Sequence, residues 1–345
     1  MDEALRSDGG SDPIRVGLNG FGRIGRNVLR TALADPRIEI VGINDVMHDE
    51  EMRYLFAHDS VHGTTPDVAV EDGHLVVGEE AIPLFDIQNP AELPWAALDV
   101  DVGFECTGLF RTYDDAATHL DAGAEKVVIS APPKGGKDVL QIVYGVNHGA
   151  YAGEDVVSNA SCTTNSVAPV AQVLDDAFGV ESGLLTTVHA YTGSQNLVDG
   201  PNSKPRRRRA AAENIVPTST GAAQATTEVL PQLEGKLDGM AMRVPVPDGS
   251  ITELVVDLAG NPDADEINAA FREAADGDLA GVLGYTDDHL VSSDIVGLPV
   301  SSLVDLRSTN AINGGELAKI LTWYDNEFGF ANRMLDTGTY VFENG

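Results

Sequence analysis

Cysteine, positive charge and long apolar runs are all scarce in this chain, and each shortage excludes something. The two cysteines, Cys106 and Cys162, are too few for a disulfide scaffold and do not suggest an oxidising compartment. No C-x-x-C pair occurs, and no metal site is expected. No run of 18 apolar residues exists, so no membrane span is expected. The segment Met1 to Pro13 is polar and acidic, without the basic and apolar stretches of a signal peptide. A cytoplasmic location is the expectation.

Bases number 22 against 54 acids, a formal charge of -32, and only 6 of the bases are lysines. The acids are spread over the whole chain in pairs such as Asp49-Glu50, Asp114-Asp115, Asp175-Asp176 and Asp287-Asp288. Acid in every segment makes a solvated acidic surface rather than an interaction tail. Such a surface repels itself in dilute buffer and is screened within about 3 Å at 1 M salt. The expectation is adaptation to a salt-rich cytoplasm. The mean field also repels nucleic-acid phosphates, so no dedicated nucleic-acid partner is expected. The run Arg206 to Arg209 is the one basic cluster, and no aromatic residues interleave with it for base stacking.

What is present in quantity is apolar material. At 345 residues and 43% hydrophobic, the chain can bury a sizeable core, and its length favours two domains. Ile14 to Asn19 reads as a buried strand, Ile24 to Leu33 as a helix and Ile38 to Ile43 as a second strand. Asp72-Gly73 between alternating apolar residues signals a hairpin over 68–77. Val100 to Cys106, Lys126 to Ser130 and Ile142 to Val146 read as further strands, with helical material over 112–122. This order predicts an α/β class: a Rossmann-type doubly wound sheet in the first 150 residues. The second half predicts a helix over 162–178 and strands at 184–191, 240–246, 253–258, 302–306 and 317–324. Helices are expected over 263–275 and 328–342, and no periodicity over 192–214. That is an α+β domain with a mixed or antiparallel sheet.

Gly20-Phe-Gly-Arg-Ile-Gly25 fits G-x-G-x-x-G, follows a strand and opens a helix, and Asp45 lies 20 residues beyond Gly25. That context is what a dinucleotide fingerprint requires. The glycines admit a pyrophosphate to the backbone, and the helix N-terminus offers free N–H groups. A carboxylate at Asp45 suits the ribose hydroxyls and repels a 2′-phosphate, so NAD is expected over NADP.

Cys162 stands between a strand and a helix, flanked by hydroxyl and amide side chains. A helix N-terminus stabilises a thiolate. A nucleophile needs a base, and His189 closes an apolar strand where side chains reach a cleft. Taken alone, Cys162 also reads as a core cysteine and His189 as a structural histidine. Cys106, on an apolar strand, reads as core.

Several motifs together resemble the glyceraldehyde 3-phosphate dehydrogenase family. They are Asn19-Gly-Phe-Gly-Arg-Ile-Gly-Arg26, Ser158-Asn-Ala-Ser-Cys-Thr-Thr-Asn165, His189-Ala-Tyr-Thr192, Pro217-Thr-Ser-Thr-Gly221, Met240-Ala-Met-Arg-Val-Pro245 and Trp323-Tyr-Asp-Asn-Glu327. The resemblance runs in order from about residue 14 to the end. It implies an NAD-linked phosphorylating aldehyde dehydrogenase and homotetramer of central sugar metabolism, with glyceraldehyde 3-phosphate and inorganic phosphate as reactants. It makes Cys162 the nucleophile and His189 its base. Gly20, Phe21, Gly22, Arg23, Ile24, Asn44, Asp45, Thr107, Gly108, Ser130 and Asn326 match its nucleotide contacts. Ser161, Thr163, Thr192, Arg207, Thr220, Gly221 and Arg243 match its two anion sites. The change of pattern near residue 160 divides the chain into an extension 1–13, a nucleotide domain 14–161 and a catalytic domain 162–325, and the resemblance implies that the helix 326–345 returns to the nucleotide domain.

Three departures stand out. Ser166 replaces a second cysteine common in the family, Phe330 an aromatic hydroxyl, and Glu79-Glu80 basic residues. Erythrose-4-phosphate dehydrogenase shares most of the same site and is the nearest alternative.

Overall fold

The computed structural model describes residues 12–135 and 139–345. Of the acidic extension, residues 1–11 lie outside the described residues.

The first sheet grows from the strand Ile14–Asn19, whose apolar side chains are almost all buried. Its order is Leu140–Gln141, Val156–Ser158, Lys126–Ile129, Val102–Glu105, Ile14–Asn19, Ile38–Asn44, Glu80–Phe85, His74–Val77 and Val68–Glu71. The strands are parallel from one edge through to Glu80–Phe85, and the last three form an antiparallel meander. The expected hairpin is present, with Asp72 at φ 48 and Gly73 at φ 76, the left-handed pair a two-residue turn requires. Strand order reverses between Ile14–Asn19 and Val102–Glu105, so the loops at Gly20 and Thr107 lie side by side. A doubly wound sheet places ligands in that crevice.

One expected strand is absent. Residues 144–147 form a turn; Leu140–Gln141 pairs with the neighbouring strand, and the Ile142 N–H adds one bond to Ser158 O at 2.8 Å. Ile142 and Val143 are fully buried, so their apolar character reflects packing. The bend is made by Gly145 at φ 87 and by Asn147, whose Oδ1 takes the Val143 N–H at 2.7 Å. The helices Asp49–Ala57 and Ala222–Val229 and the strand Leu283–Thr286 were not anticipated.

The second sheet is mixed. Its order is Val216–Ser219, Leu237–Val244, Val180–Ala190, Ser250–Leu258, Leu317–Tyr324, Ser302–Asp305 and Leu283–Thr286, with Asn310–Ile312 pairing beside Leu317–Tyr324. Helices Cys162–Phe178, Ala222–Val229 and Ala264–Asp276 share one apolar core with this sheet. The final helix Phe328–Glu343 returns to the first sheet: Phe330, Ala331, Met334, Leu335 and Val341 pack in one cluster with Val16, Leu18 and Phe104. Gly338 permits that approach, because a Cβ there would meet the Phe104 ring at 2.6 Å.

Candidate active site

The cysteine is presented by a sharp strand-to-helix turn. Strand Val156–Ser158 ends, Ala160 takes φ 55, and helix Cys162–Phe178 begins at the cysteine itself. A buried non-glycine residue in the left-handed region is strained, and such strain persists where its surroundings hold it. Here Ser158 Oγ accepts the Ala160 N–H at 3.0 Å. Asn165 Nδ2 donates back to the carbonyls of Asn159 and Ser161 at 2.8 and 3.1 Å. Ser161 caps the helix through its Oγ, which takes the Thr164 N–H at 3.0 Å. Cys162 thus sits at the positive end of a 17-residue helix.

His189, 27 residues on, lies near the end of the central strand Val180–Ala190 and brings Nε2 to 3.5 Å from Cys162 Sγ. Its Nδ1 lies 2.7 Å from Ala190 O, which only accepts, so Nδ1 carries the proton. Nε2 is therefore the free lone pair facing the sulfur. Burial, and then the Arg243 cation, hold His189 down to about 3, so the imidazole is neutral. Burial pushes the Cys162 thiol up, opposed by Arg243 and by the N–H and hydroxyl of Thr163. The pair is thus a thiol and a neutral imidazole, with the Nε2 lone pair aimed at the sulfur. Cys106 has no such arrangement. Burial and the neighbouring Glu105 push its thiol well above the usual thiol range.

Several of the residues expected to hold anions are tied together by hydrogen bonds. Arg243 Nη1 donates to Ala190 O at 2.9 Å and to Thr192 Oγ1 at 3.3 Å. Thr192 meets Ser194 at 2.9 Å, and Ser194 meets Arg207 Nη1 at 3.0 Å. Arg207 Nε also donates to Thr218 Oγ1 at 3.1 Å. Among the described residues neither arginine meets a carboxylate, in a chain with 54 acids. Arg243 Nε is buried without a partner. Thr220 and Gly221 follow directly, with Thr220 Oγ1 accepting the Ala222 N–H at 3.1 Å. Thr163 is turned inward to Tyr324, whose hydroxyl also meets Thr187 at 2.7 Å.

Most of the residues expected to contact a nucleotide stand on the loops at the crevice of the first sheet. A Cβ on Gly20 would stand 2.5 Å from Thr107 N, and one on Gly25 would stand 2.0 Å from Gly20 O. A Cβ on Gly22 meets nothing within 4 Å, so this face is open. The three glycines therefore serve the close turn, the open approach and the helix packing that a pyrophosphate site needs. Gly22 begins helix Arg23–Ala32 with no side-chain cap, leaving the first N–H groups, Ile24 among them, for a ligand. Asp45 borders the turn, with its carboxylate accepting the Phe21 N–H at 2.6 Å and the Met47 N–H at 3.0 Å. Gly108 (φ 72) and Ser130, whose N–H donates to Glu105 O at 2.9 Å, close the other side. Asn326 is held by Ser250, which donates to its Oδ1 at 2.6 Å and accepts the Ala190 N–H at 3.1 Å.

Other side chains among these residues have structural partners. Phe21 is fully buried against Phe56. Arg23 spans Asp59 and Glu327, tying the turn to the start of the final helix. Asn44 bonds inward to Asn19 Oδ1 at 2.7 Å. Ser194, Thr218, Ser250 and Tyr324 organise the site without having been singled out. Ser194 and Ser250 are lone polar residues without a pattern, whereas Thr218 and Tyr324 lie inside motifs that carry the resemblance. No metal site was expected, yet the ligand atoms of His62, Asp248 and Asp325 lie within 4.8 Å of one another.

Comparison with known proteins agrees with this geometry. Residues 14–113 match the family model described as glyceraldehyde 3-phosphate dehydrogenase, NAD binding domain. Residues 161–326 match that of the C-terminal domain of the same family. The chain is 65% identical to glyceraldehyde-3-phosphate dehydrogenase of Haloarcula vallismortis over 335 residues, 96% of this chain and 99% of that one. It is 52% identical to the enzyme of Mycobacterium tuberculosis strain H37Rv over 95% of this chain and 98% of that one. Identity to glyceraldehyde-3-phosphate dehydrogenase 1 of Bacillus subtilis is 49%, over 96% and 99%. With both halves matched by the family models and full-length identities of this size, the chain belongs to the glyceraldehyde 3-phosphate dehydrogenase family.

Proposed function

We propose that this chain oxidises glyceraldehyde 3-phosphate with NAD and inorganic phosphate, giving 1,3-bisphosphoglycerate, through a thioester on Cys162. The observation that carries the reading is the 3.5 Å approach of Cys162 Sγ to the unprotonated Nε2 of His189, beside an arginine without a carboxylate partner. As sulfur adds to the aldehyde carbon, the thiol proton passes to Nε2. The new oxyanion takes that same proton back from His189 Nε2 and becomes the hydroxyl of a thiohemiacetal, next to the first N–H groups of the helix. His189 then accepts that hydroxyl proton as the carbon is oxidised to the thioester. NAD, when bound, supplies the hydride acceptor. The loops at Gly20, Asp45 and Thr107 hold it, and Asn326 orients its carboxamide. A phosphate oxygen attacks the thioester carbon, the C–S bond breaks, and the thiolate recovers its proton from His189. Arg243 with Thr192, and Arg207 with Thr220 and Gly221, hold the substrate phosphate and the attacking phosphate.

The boundaries 14–161 and 162–325, with 326–345 returning to the nucleotide domain, are proposed on the same footing. So are a homotetramer, a cytoplasmic location and a surface adapted to salt. Leu184 and Met240, exposed on the open face of the second sheet, support self-association. Among the described residues no helix is long and apolar enough to cross a membrane. The test is NADH formation that depends on both the aldehyde and phosphate. A rate unchanged by omitting phosphate would overturn the phosphorylating step.

A further inference from the structure

A fully buried acid lies beneath the nucleotide loops and takes no part in the chemistry above. Glu105 ends the strand Val102–Glu105 with no exposed surface. Its Oε2 accepts from Asn19 Nδ2 at 2.7 Å and faces His119 Nε2 at 3.2 Å. Its Oε1 accepts the Thr107 N–H at 2.8 Å and also the Thr107 hydroxyl. The buried indole of Trp95 donates to His119 Nδ1 at 3.0 Å. An indole N–H only donates, so Nδ1 must be the acceptor and His119 carries its proton on Nε2, directed at Glu105. All four partners of the carboxylate are then donors. Asn19 extends the network to Asn44 at 2.7 Å, and Asn44 to the backbone of Ile87 at 2.9 Å. The network therefore joins the ends of three adjacent strands, at Asn19, Asn44 and Glu105. Those ends carry Gly20, Asp45 and Thr107.

We propose that Glu105, kept in register by His119 and Trp95, is a positioning residue for NAD: it fixes the Thr107–Gly108 loop against the glycine turn. This rests on the reading of those loops as the cofactor site. The tolerance is tight, because a Gly20 Cβ would already collide with Thr107 N. A small shift of Thr107 therefore closes or opens the crevice. The amide of Glu105→Gln would set its NH2 against two of the four donors and displace the loop.

The test compares Michaelis constants in the full-length enzyme. Glu105→Gln and His119→Leu are expected to raise KM for NAD on the order of tenfold, the effect of leaving one buried group unpaired. KM for glyceraldehyde 3-phosphate and for phosphate should stay within about twofold, since those sites hang on the second sheet. His119→Gln should recover most of the loss, because one amide can accept from Trp95 and donate to Glu105. Should Glu105→Gln fail to fold, the Leu and Gln variants of His119 carry the same comparison. Gly22→Leu, which fills the open face of the turn, is the control and should also raise KM for NAD. If it does while the Glu105 and His119 variants keep the wild-type value, the inference is wrong and the cofactor site stands. If Gly22→Leu is silent as well, the site itself is misplaced. An equal rise in all three constants would mean a general structural role and would also overturn the proposal.

Discussion

At the scale of single residues, two cysteines have opposite polar neighbours. Both pack against the same apolar cluster, but Cys162 faces an acceptor nitrogen and lies near a cation, whereas Cys106 lies beside an acid. Cys162→Ser is expected to abolish aldehyde oxidation while NAD still binds. Cys106→Ser should remain active. Mass spectrometry after iodoacetamide inactivation should find the label on Cys162, and a label on Cys106 alone would reverse the assignment. His189→Asn should slow acylation roughly 10²–10⁴-fold, the range for loss of a positioned general base. A near-normal turnover in that variant would remove His189 from the mechanism. Much of this was legible before the fold was known, because residue types and neighbours mark Cys162 and the resemblance marks His189. The supporting hydroxyls of Ser194 and Ser250 were not, since an isolated serine in a loop or at a strand end has no periodicity to betray it.

Elements show the same division. The strand–turn–helix at 14–32 was legible because its glycines and apolar spacing agree, and the second sheet because its strands alternate. Helix Asp49–Ala57 buries only Met52, Phe56 and Ala57, too little for an apolar stripe to show. Helix Ala222–Val229 buries mostly alanine and threonine, which carry a weak periodic signal. Asp45 carries a prediction at this scale, since it links the end of strand Ile38–Asn44 to the glycine turn. Asp45→Ser should improve NADP use relative to NAD by removing a repulsion. It should also weaken NAD binding, because the Phe21 N–H loses its acceptor. An unchanged ratio of kcat/KM for the two cofactors would place this carboxylate away from the ribose.

The turn before strand Ser250–Leu258 carries another. Burial, then Asp325 and Glu327, push the Asp248 carboxyl up to about 9 from 3.8. Between those values the folded chain holds a proton that the unfolded chain has released. The contribution of this group to stability therefore falls as pH rises from about 4 to about 9. Asp248→Asn keeps the shape and removes the titration. Its Tm relative to wild type should rise between about pH 6 and about pH 9, and a constant difference would contradict the assignment.

For the whole molecule, charge dominates. At -32, the surface acids repel one another across a Debye length of about 30 Å at 0.01 M salt but only about 3 Å at 1 M. The arginine run does not offset this as a block. Arg207 donates to Ser194 Oγ at 3.0 Å, Arg209 pairs with Asp199 at 2.8 Å, and Arg208 donates to Asn202 O at 2.8 Å. Activity and oligomer mass should fall slowly in dilute buffer and hold in molar salt, with NAD protecting the folded state by mass action. Equal mass and activity from roughly 0.05 to 3 M salt would mean the acidic surface is not a salt adaptation. The central claim is the thioester on Cys162, and one measurement reaches it directly: NADH formation on mixing enzyme, NAD and glyceraldehyde 3-phosphate in molar salt, with and without phosphate. Without phosphate the account predicts a burst of about one NADH per chain followed by arrest, and continuous turnover once phosphate is added. Cys162→Ser should give neither phase. Steady turnover without phosphate, or a burst that survives Cys162→Ser, would contradict it.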